Sequence, residues 1–361
     1  MEELAPSAFA LEGDPTGLQW GDPDQEVKGI LLALDFNKDV LQEALDSGCN
    51  MVISHHPYLF RPLSSLDLRR QETNLLYRAL QHGIILLSAH TNLDVAPLGV
   101  NYVLADLLQL EERELLRVTG REKLLKLVVY VPVGHEDKVR DALGKAGAGW
   151  VGNYSHCTFQ TRGTGTFLPG EGAEPFLGEK GDLNKVDEYR LETILPARLK
   201  NKVLKSMLKV HPYEEVAYDL YQLQNEGKPY GLGWVGTLPR KMTLSELAQI
   251  VKSRLAARQL RVLGEGERKV ERVAVVGGSG GEFITDALRC RAEVLITGDI
   301  KYHDAQLAER RGLFLIDAGH DYTERPAMSF WARLLDKELR QRGYSVGVKS
   351  ADAPAWSWSI F

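Results

Sequence analysis

The alternation of short, wholly apolar runs with amphipathic helical patterns, present at both ends of the chain, is what most limits how it can fold. Near the N-terminus GILLALD (29–35), NMVIS (50–54) and IILLSA (84–89) read as buried strands. Between and after them DVLQEALDSG (39–48), closed by Gly48, NLLYRALQHG (74–83) and GVNYVLADLLQL (99–110) carry the helical period. Strands too apolar to face water on either side imply a mostly parallel sheet with helices on both faces, an α/β fold. The C-terminal region has the same grammar. TLSELAQIVKSRL (243–255) opens with Thr243 and Glu246 spaced as a capping box. RVAVVG (272–277), AEVLITG (292–298), LFLIDA (313–318) and YSVGVKS (344–350) read as strands. EFITDALRC (282–290), YHDAQLAERRG (302–312) and RPAMSFWARLLDKELRQRG (325–343) read as helices.

The two ends also superimpose on each other. A shift of 243 residues sets GILLALDF against RVAVVGGS and EALDSGCNMVISHH (43–56) against DALRCRAEVLITGD (286–299) without a gap. A shift of 229 then sets HGIILLSAHTNLD against RGLFLIDAGHDYT. The matched order points to two pseudo-repeated α/β halves, 1–122 and 229–361, forming one domain. The middle, 123–228, is different. KLLKLVVYVPV, HEDKVRDALGKAG, the glycine-punctuated CTFQTRGTGTFLPG, YRLETILPA, LKNKVLKSMLKVH and VAYDLYQL follow a βαββαβ order. That is the plan of an inserted ferredoxin-like domain, with LRVTGREK (116–123) and NEGKPYG (225–231) at its boundaries.

Polar clusters sit where the strands end. NMVIS runs into His55 and His56, and IILLSA into His90 through Asp94. AEVLITG runs into Asp299, Lys301 and His303, and LFLIDAG into His320 and Glu324. Ligands in open α/β sheets bind beyond the carboxyl ends of the strands, so these clusters should converge. A lone histidine in such a place is more often a satisfied or exposed polar residue. Five or six of the chain's nine histidines at strand ends, each near a carboxylate, are hard to explain that way. Imidazole and carboxylate without thiolate suit zinc, iron, manganese or cobalt. Adjacent histidines on an extended segment diverge and do not readily share one ion. Two ions bridged by a carboxylate accommodate them. His320 and Glu324, at i and i+4, share a face if a helical turn starts there.

Composition excludes several alternatives. The net charge of −5 comes without a basic block, so no nucleic-acid surface is expected. No apolar run approaches the roughly 20 residues of a membrane span. The N-terminus lacks the pattern of a signal segment. Cys49, Cys157 and Cys290 are far apart and fit a reducing compartment, so a cytoplasmic protein is expected.

ISHHPYLF, AHTNLDVAPLGVN, TGDIKYHDA and DAGHDYTE resemble the signature segments of the Nif-three-like proteins. Many bacterial members of that family carry the label GTP cyclohydrolase I type 2. The resemblance spans nearly the whole chain. GAGWVGNYSHCTFQTRGTGTFLPGEGAEPFLG and VHPYEEVAYDLYQL look like the insert of the long bacterial subtype. It implies a dinuclear site held by His55, His56, Asp94, His320 and Glu324, with Glu324 as the bridge. His90, His303 and Asp299 then stand outside the ligand set as supporting or catalytic groups. It also implies a CutA- or PII-like insert, a ring-shaped homohexamer, and a small-molecule substrate such as a purine nucleotide. Two segments depart from the family pattern, EGDPTGLQW before the first strand and GHDYTE, where Asp321 replaces an aromatic residue.

Four features stand apart from that site. GGSGGE (277–282) is either a phosphate cradle or a tight turn. HPYEE (211–215) is read as a helix terminus rather than a second metal site, and Cys157 as a small hairpin or core residue. Trp356 and Trp358 alternate as a docked edge strand or a subunit contact would. Two functions from different classes fit these observations: a metal-dependent hydrolase, and a non-catalytic metal carrier or metal-responsive regulator. A scaffold or transcription-partner role finds no support in the sequence.

Overall fold

The computed structural model describes residues 1–353, so the alternation at Trp356 and Trp358 lies outside the described residues. The chain forms two compact units: Met1–Gly120 together with the chain from Tyr230 on, and Arg121–Pro229 between them. The first part of the first unit holds β1 (Gly17–Trp20), β2 (Gly29–Ala33), α1 (Lys38–Asp46) and β3 (Met51–Ser54). It continues with α2 (Gln71–Gln81), β4 (Ile85–Ser88), α3 (Thr91–Val95), α4 (Val100–Leu107) and β5 (Glu111–Arg121). The second unit holds β6 (Leu124–Pro132), α5 (Glu136–Lys145), β7 (Thr158–Phe167), β8 (Asn184–Pro196), α6 (Lys200–Val210) and β9 (Tyr218–Gln222). The chain then returns through β10 (Pro229–Thr243), α7 (Leu244–Arg254), β11 (Arg261–Leu263), β12 (Lys269–Ser279) and α8 (Ile284–Arg289). It ends on β13 (Val294–Gly298), α9 (Tyr302–Arg311), β14 (Phe314–Asp317), α10 (His320–Gln341) and β15 (Gly347–Ser350).

Two sheets organise the first unit, in the orders β1-β4-β3-β2-β15 and β11-β14-β13-β12-β10-β5. In the first, β4, β3, β2 and β15 are parallel and β1 is an antiparallel edge. In the second, β14, β13 and β12 are parallel, with β11 antiparallel on one side and β10 on the other. Alternate residues of one strand enter different cores, as the two-residue period requires. Ile30 and Leu32 join a core with Ala327, Trp331 and Leu335 of α10, while Leu31 and Ala33 join another with Leu41 and Leu76. In the second sheet Val273 and Val275 face α7, and Ala274 and Val276 face α8. β2 and β13 are accordingly buried along their whole length. Trp331 is fully buried, and its indole N–H donates to the Leu98 carbonyl at 2.7 Å.

The second unit is one antiparallel sheet in the order β7-β8-β6-β9. Leu127, Val129 and Val131 of β6 with Leu191 and Leu195 of β8 pack against Val139 and Leu143 of α5 and Val203 and Met207 of α6. The glycine-punctuated β7 is its edge strand.

Three local differences from the sequence reading have clear causes. The boundary segment 116–123 falls largely on β5, whereas 225–228 is loop and only 229–231 of the other boundary segment lies on β10. The charged residues of 116–121 reflect an exposed strand face rather than loop. The last helix begins at His320, five residues before the start expected from Pro326. Gly319, at φ +88°, precedes it, and Pro326 lies inside the helix. The segment after β4, expected as a polar cluster alone, makes a five-residue helix, α3.

The unit Arg121–Pro229 has its own core, so a fragment of residues 121–229 should fold alone, with a cooperative melt and no bound metal. A broad, non-cooperative thermal trace would contradict that. Trp331→Ala in the full chain should cost about 3–5 kcal/mol of stability, read from denaturant unfolding.

Candidate metal centre

Parallel register levels the ends of the central strands. Ala33 pairs with Ser54 and Ser54 with Ser88, so Asp35, His55, His56 and His90 leave the first sheet at one height. Thr297 pairs with Asp317, which does the same for Asp299 and His320 in the second sheet. Asp317 also accepts from the backbone N–H groups of Ile300 and Gly319, each at 3.0 Å, and so shapes the turn that launches α10.

Each of four imidazoles is held at Nδ1. His55 Nδ1 lies 2.8 Å from the Ala89 carbonyl, His56 Nδ1 2.8 Å from Asp35, His90 Nδ1 2.7 Å from Asp14 and His320 Nδ1 2.7 Å from Asp299. With acceptors on Nδ1, the proton of a neutral ring sits there and Nε2 is the nitrogen left to ligate, the arrangement that orients metal-ligating histidines. The Nε2 atoms of His55, His56 and His320 meet Glu324. Its Oε1 is 3.7 Å from His55, and its Oε2 is 3.1 Å from His56 and 3.2 Å from His320. His56 and His320 approach to 3.3 Å at Nε2. Asp94 Oδ1 lies 3.6 Å from His55 Nε2. Ring nitrogens of His55, His56 and His90 lie within 4.8 Å of one another, as do ligand atoms of His56, His320 and Glu324.

His55 Nε2, Asp94 Oδ1 and Glu324 Oε2 are buried without a hydrogen-bond partner. Buried polar atoms are nearly always satisfied, and three orphans facing one another fit divalent cations. Charge tells the same story. Burial opposes ionisation of Glu324, but His55, His320 and His56 outweigh it and hold its carboxyl well below the usual range. Burial pushes Asp94 up. Burial pulls His56 down, yet the Asp35 hydrogen bond and Glu324 prevail and push it up to about 10. His320, bonded to Glu324 against the effect of burial, rises to about 9.

The structure thus brings together His55, His56, Asp94, His320 and Glu324, and adds His90 to the same group. It does not bring in His303, which sits on the exposed first turn of α9 beside Gln306. Asp299 holds His320, and Asp321 makes no hydrogen bond to the cluster's imidazoles among the described residues. Two carboxylates escaped the sequence reading. Asp35 follows the strand GILLA, and the strand-end rule could have found it. Asp14 lies in EGDPTGLQW, remote in sequence from the His90 and Thr91 that it binds, and no local signal marks it. GGSGGE spans the end of β12, which runs to Ser279, and the start of a short 3-10 helix at Gly281. The N–H groups of Gly277, Gly278 and Gly280 go to Asn101, Thr323 and Gly298. Gly278 has φ +66°, and a Cβ there would stand 2.3 Å from Glu324 Oε1, so glycine admits the carboxylate.

In metal-free protein the raised values of His56 and His320 set a pH dependence. Protonation stabilises the fold fully below the ordinary value near 6.5, and that contribution disappears as pH rises through about 9 and 10. Melting temperatures in a chelator should therefore fall between those limits, and fall less in a His56→Ala, His320→Ala double variant. Equal slopes would contradict the assignment.

The Duf34/NIF3 (NGG1p interacting factor 3) family model matches residues 1–354. A Halalkalibacterium halodurans protein named GTP cyclohydrolase 1 type 2 homolog is 44% identical over 347 residues, 96% of this chain and 93% of its own. A Bacillus subtilis protein of the same name is 42% identical with the same coverage. The crystal structure of a Bacillus cereus protein related to NIF3 matches with a TM-score of 0.88 at 41% identity, covering 100% of this chain and 96% of its own. With matches that run its whole length, the chain belongs to the DUF34/NIF3 family.

Proposed function

We propose that the chain is a dinuclear metal-dependent hydrolase acting on a nucleotide or related phosphorylated heterocycle, the chemistry to which its relatives' name points. One observation carries the reading: three imidazoles held at Nδ1, those of His55, His56 and His320, turn Nε2 toward a carboxylate whose two oxygens face different partners. His55 and Asp94 would hold one ion with Glu324 Oε1, and His56 and His320 the other with Glu324 Oε2. Two divalent ions, zinc, iron, manganese or cobalt, would supply Lewis acidity at neutral pH. Of the remaining groups, His90, fixed by Asp14, is suited to hold or pass a proton at Nε2.

A cavity of ≈ 640 Å³ supports an enzyme over a carrier. It is lined by Phe36, Tyr58 and Phe60 together with Lys38, Arg61 and Arg70. Phe36 follows Asp35 directly, and the Phe60 ring lies 6.5 Å from that of His90. Aromatic faces suit a heterocycle and guanidinium groups suit phosphate, whereas a carrier needs neither. The strand order of Arg121–Pro229 supports an inserted ferredoxin-like domain, and the matching orders β1-β4-β3-β2 and β11-β14-β13-β12 support pseudo-repeated halves. Assembly as a homohexamer rests on family membership alone, and a cytoplasmic location on the three scattered cysteines. Among the described residues no helix is long and apolar enough to cross a membrane.

Purified protein should carry about two divalent ions per chain, and His55→Ala with His56→Ala should remove most of them. Glu324→Gln should lose both the second ion and turnover, Asp94→Asn should act similarly, and Asp14→Asn or Asp35→Asn should weaken metal binding about 10- to 100-fold. His303→Ala should keep its metal. Elemental analysis and nucleotide turnover on the same samples test this. Wild-type turnover by Glu324→Gln refutes the bridge, and no turnover by fully loaded wild type favours the carrier.

A further inference from the structure

The second unit contains a cavity of its own, and its chemistry is opposite to that of the cavity beside the metal centre. It measures ≈ 490 Å³ and is walled by Tyr130, Phe167, Phe176 and Tyr213, with Glu188 and Glu215 among them. No lysine or arginine lines it among the described residues. Glu188 is only 8% exposed. The Tyr213 hydroxyl donates to its Oε1 at 2.8 Å. Among the described residues Oε2 has no hydrogen-bond partner, and no cation pairs with the carboxylate. A buried carboxylate is ordinarily paired with a positive charge. Here the described residues supply no such charge.

The local sequence builds this arrangement. HPYEE does not bind metal through its histidine, because His211 uses Nε2 on the Tyr130 carbonyl at 3.0 Å and Nδ1 on the Tyr213 N–H at 3.2 Å. Those two bonds fix the turn after α6 and set Tyr213 against Glu188. Glu214 accepts from the Glu174 backbone N–H at 2.9 Å, which ties the loop after β7 to the same turn. That loop delivers Phe176, whose ring stands 6.3 Å from Tyr213 and edge-on to His135 at 5.5 Å. On β7, Gly165 leaves room for the carboxylate, since a Cβ there would meet Glu188 Oε2 at 2.2 Å. Burial, and then Glu188 itself, push the Tyr213 phenol above its ordinary value, so it remains a donor.

Aromatic faces around a buried anion are what a desolvated organic cation requires, because ring faces and carboxylate both attract positive charge. We infer that this cavity binds a small organic cation, an ammonium or guanidinium carried on an apolar body. The volume suits a small molecule, and the binding step involves no metal.

The test is calorimetry on full-length protein at neutral pH with butylammonium, choline and agmatine, and with 1-butanol as the uncharged control. At least one cation should bind saturably while 1-butanol does not. Glu188→Gln should weaken that cation about tenfold or more, through loss of a charge-assisted contact. Phe176→Ala changes a half-exposed residue outside the core and should weaken it too. A variant with His55→Ala and His56→Ala should bind it as wild type does. No saturable binding of any of the three cations overturns the inference. So does wild-type affinity in folded Glu188→Gln, or in Phe176→Ala should Glu188→Gln fail to fold.

Discussion

An ionised carboxylate buried among histidines is costly unless every neighbour is arranged to favour it. Glu324 is 4% exposed and meets that condition through imidazoles brought from both sheets. Much of the first unit can be understood as what this placement needs. Gly278, at positive φ near the end of β12, admits the carboxylate, Asp317 shapes the start of α10 so that His320 and Glu324 share a face, and Asp35, Asp14 and Asp299 aim the rings. Substituting an outer carboxylate leaves the ligands in place but lets a ring turn, which is why residues that touch no ligand-binding atom matter to the site.

The two sheets solve the same problem in the same way. Each carries three consecutive parallel strands whose carboxyl ends are level, β2 to β4 in the first and β12 to β14 in the second, with an antiparallel edge strand beside the last of them, and the first adds a fourth parallel strand, β15. The first contributes adjacent histidines from an extended segment, and the second contributes a histidine and a glutamate one helical turn apart. The pairs are complementary. Diverging side chains reach two positions, and a carboxylate with two oxygens can serve both.

Much of this was legible in the sequence because it is written in local periodicity and at strand ends. His55, His56, His90, Asp94, His320 and Glu324 all follow apolar strands, and the level register does the rest. Asp14 was not legible, since a loop carboxylate acquires meaning only when the fold sets it against His90. The long strands β5 and β10 were missed for another reason. β5 has a single buried residue, Leu116, so it lacks the apolar run that announces a central strand. The cavity in the second unit was hidden likewise. HPYEE shows its composition, but not that its histidine is spent on backbone.

The order in which the ligands lie along the chain has a consequence for biosynthesis. His55, His56 and Asp94 leave the ribosome long before His320 and Glu324 exist, and more than half the chain is made in between. During that interval Arg121–Pro229, with a core of its own, can close without waiting for either half. The residues that would hold a metal are therefore complete only once α10 has been made. A chain clipped before α10 keeps His55, His56 and Asp94 but lacks the His320 and Glu324 that they face.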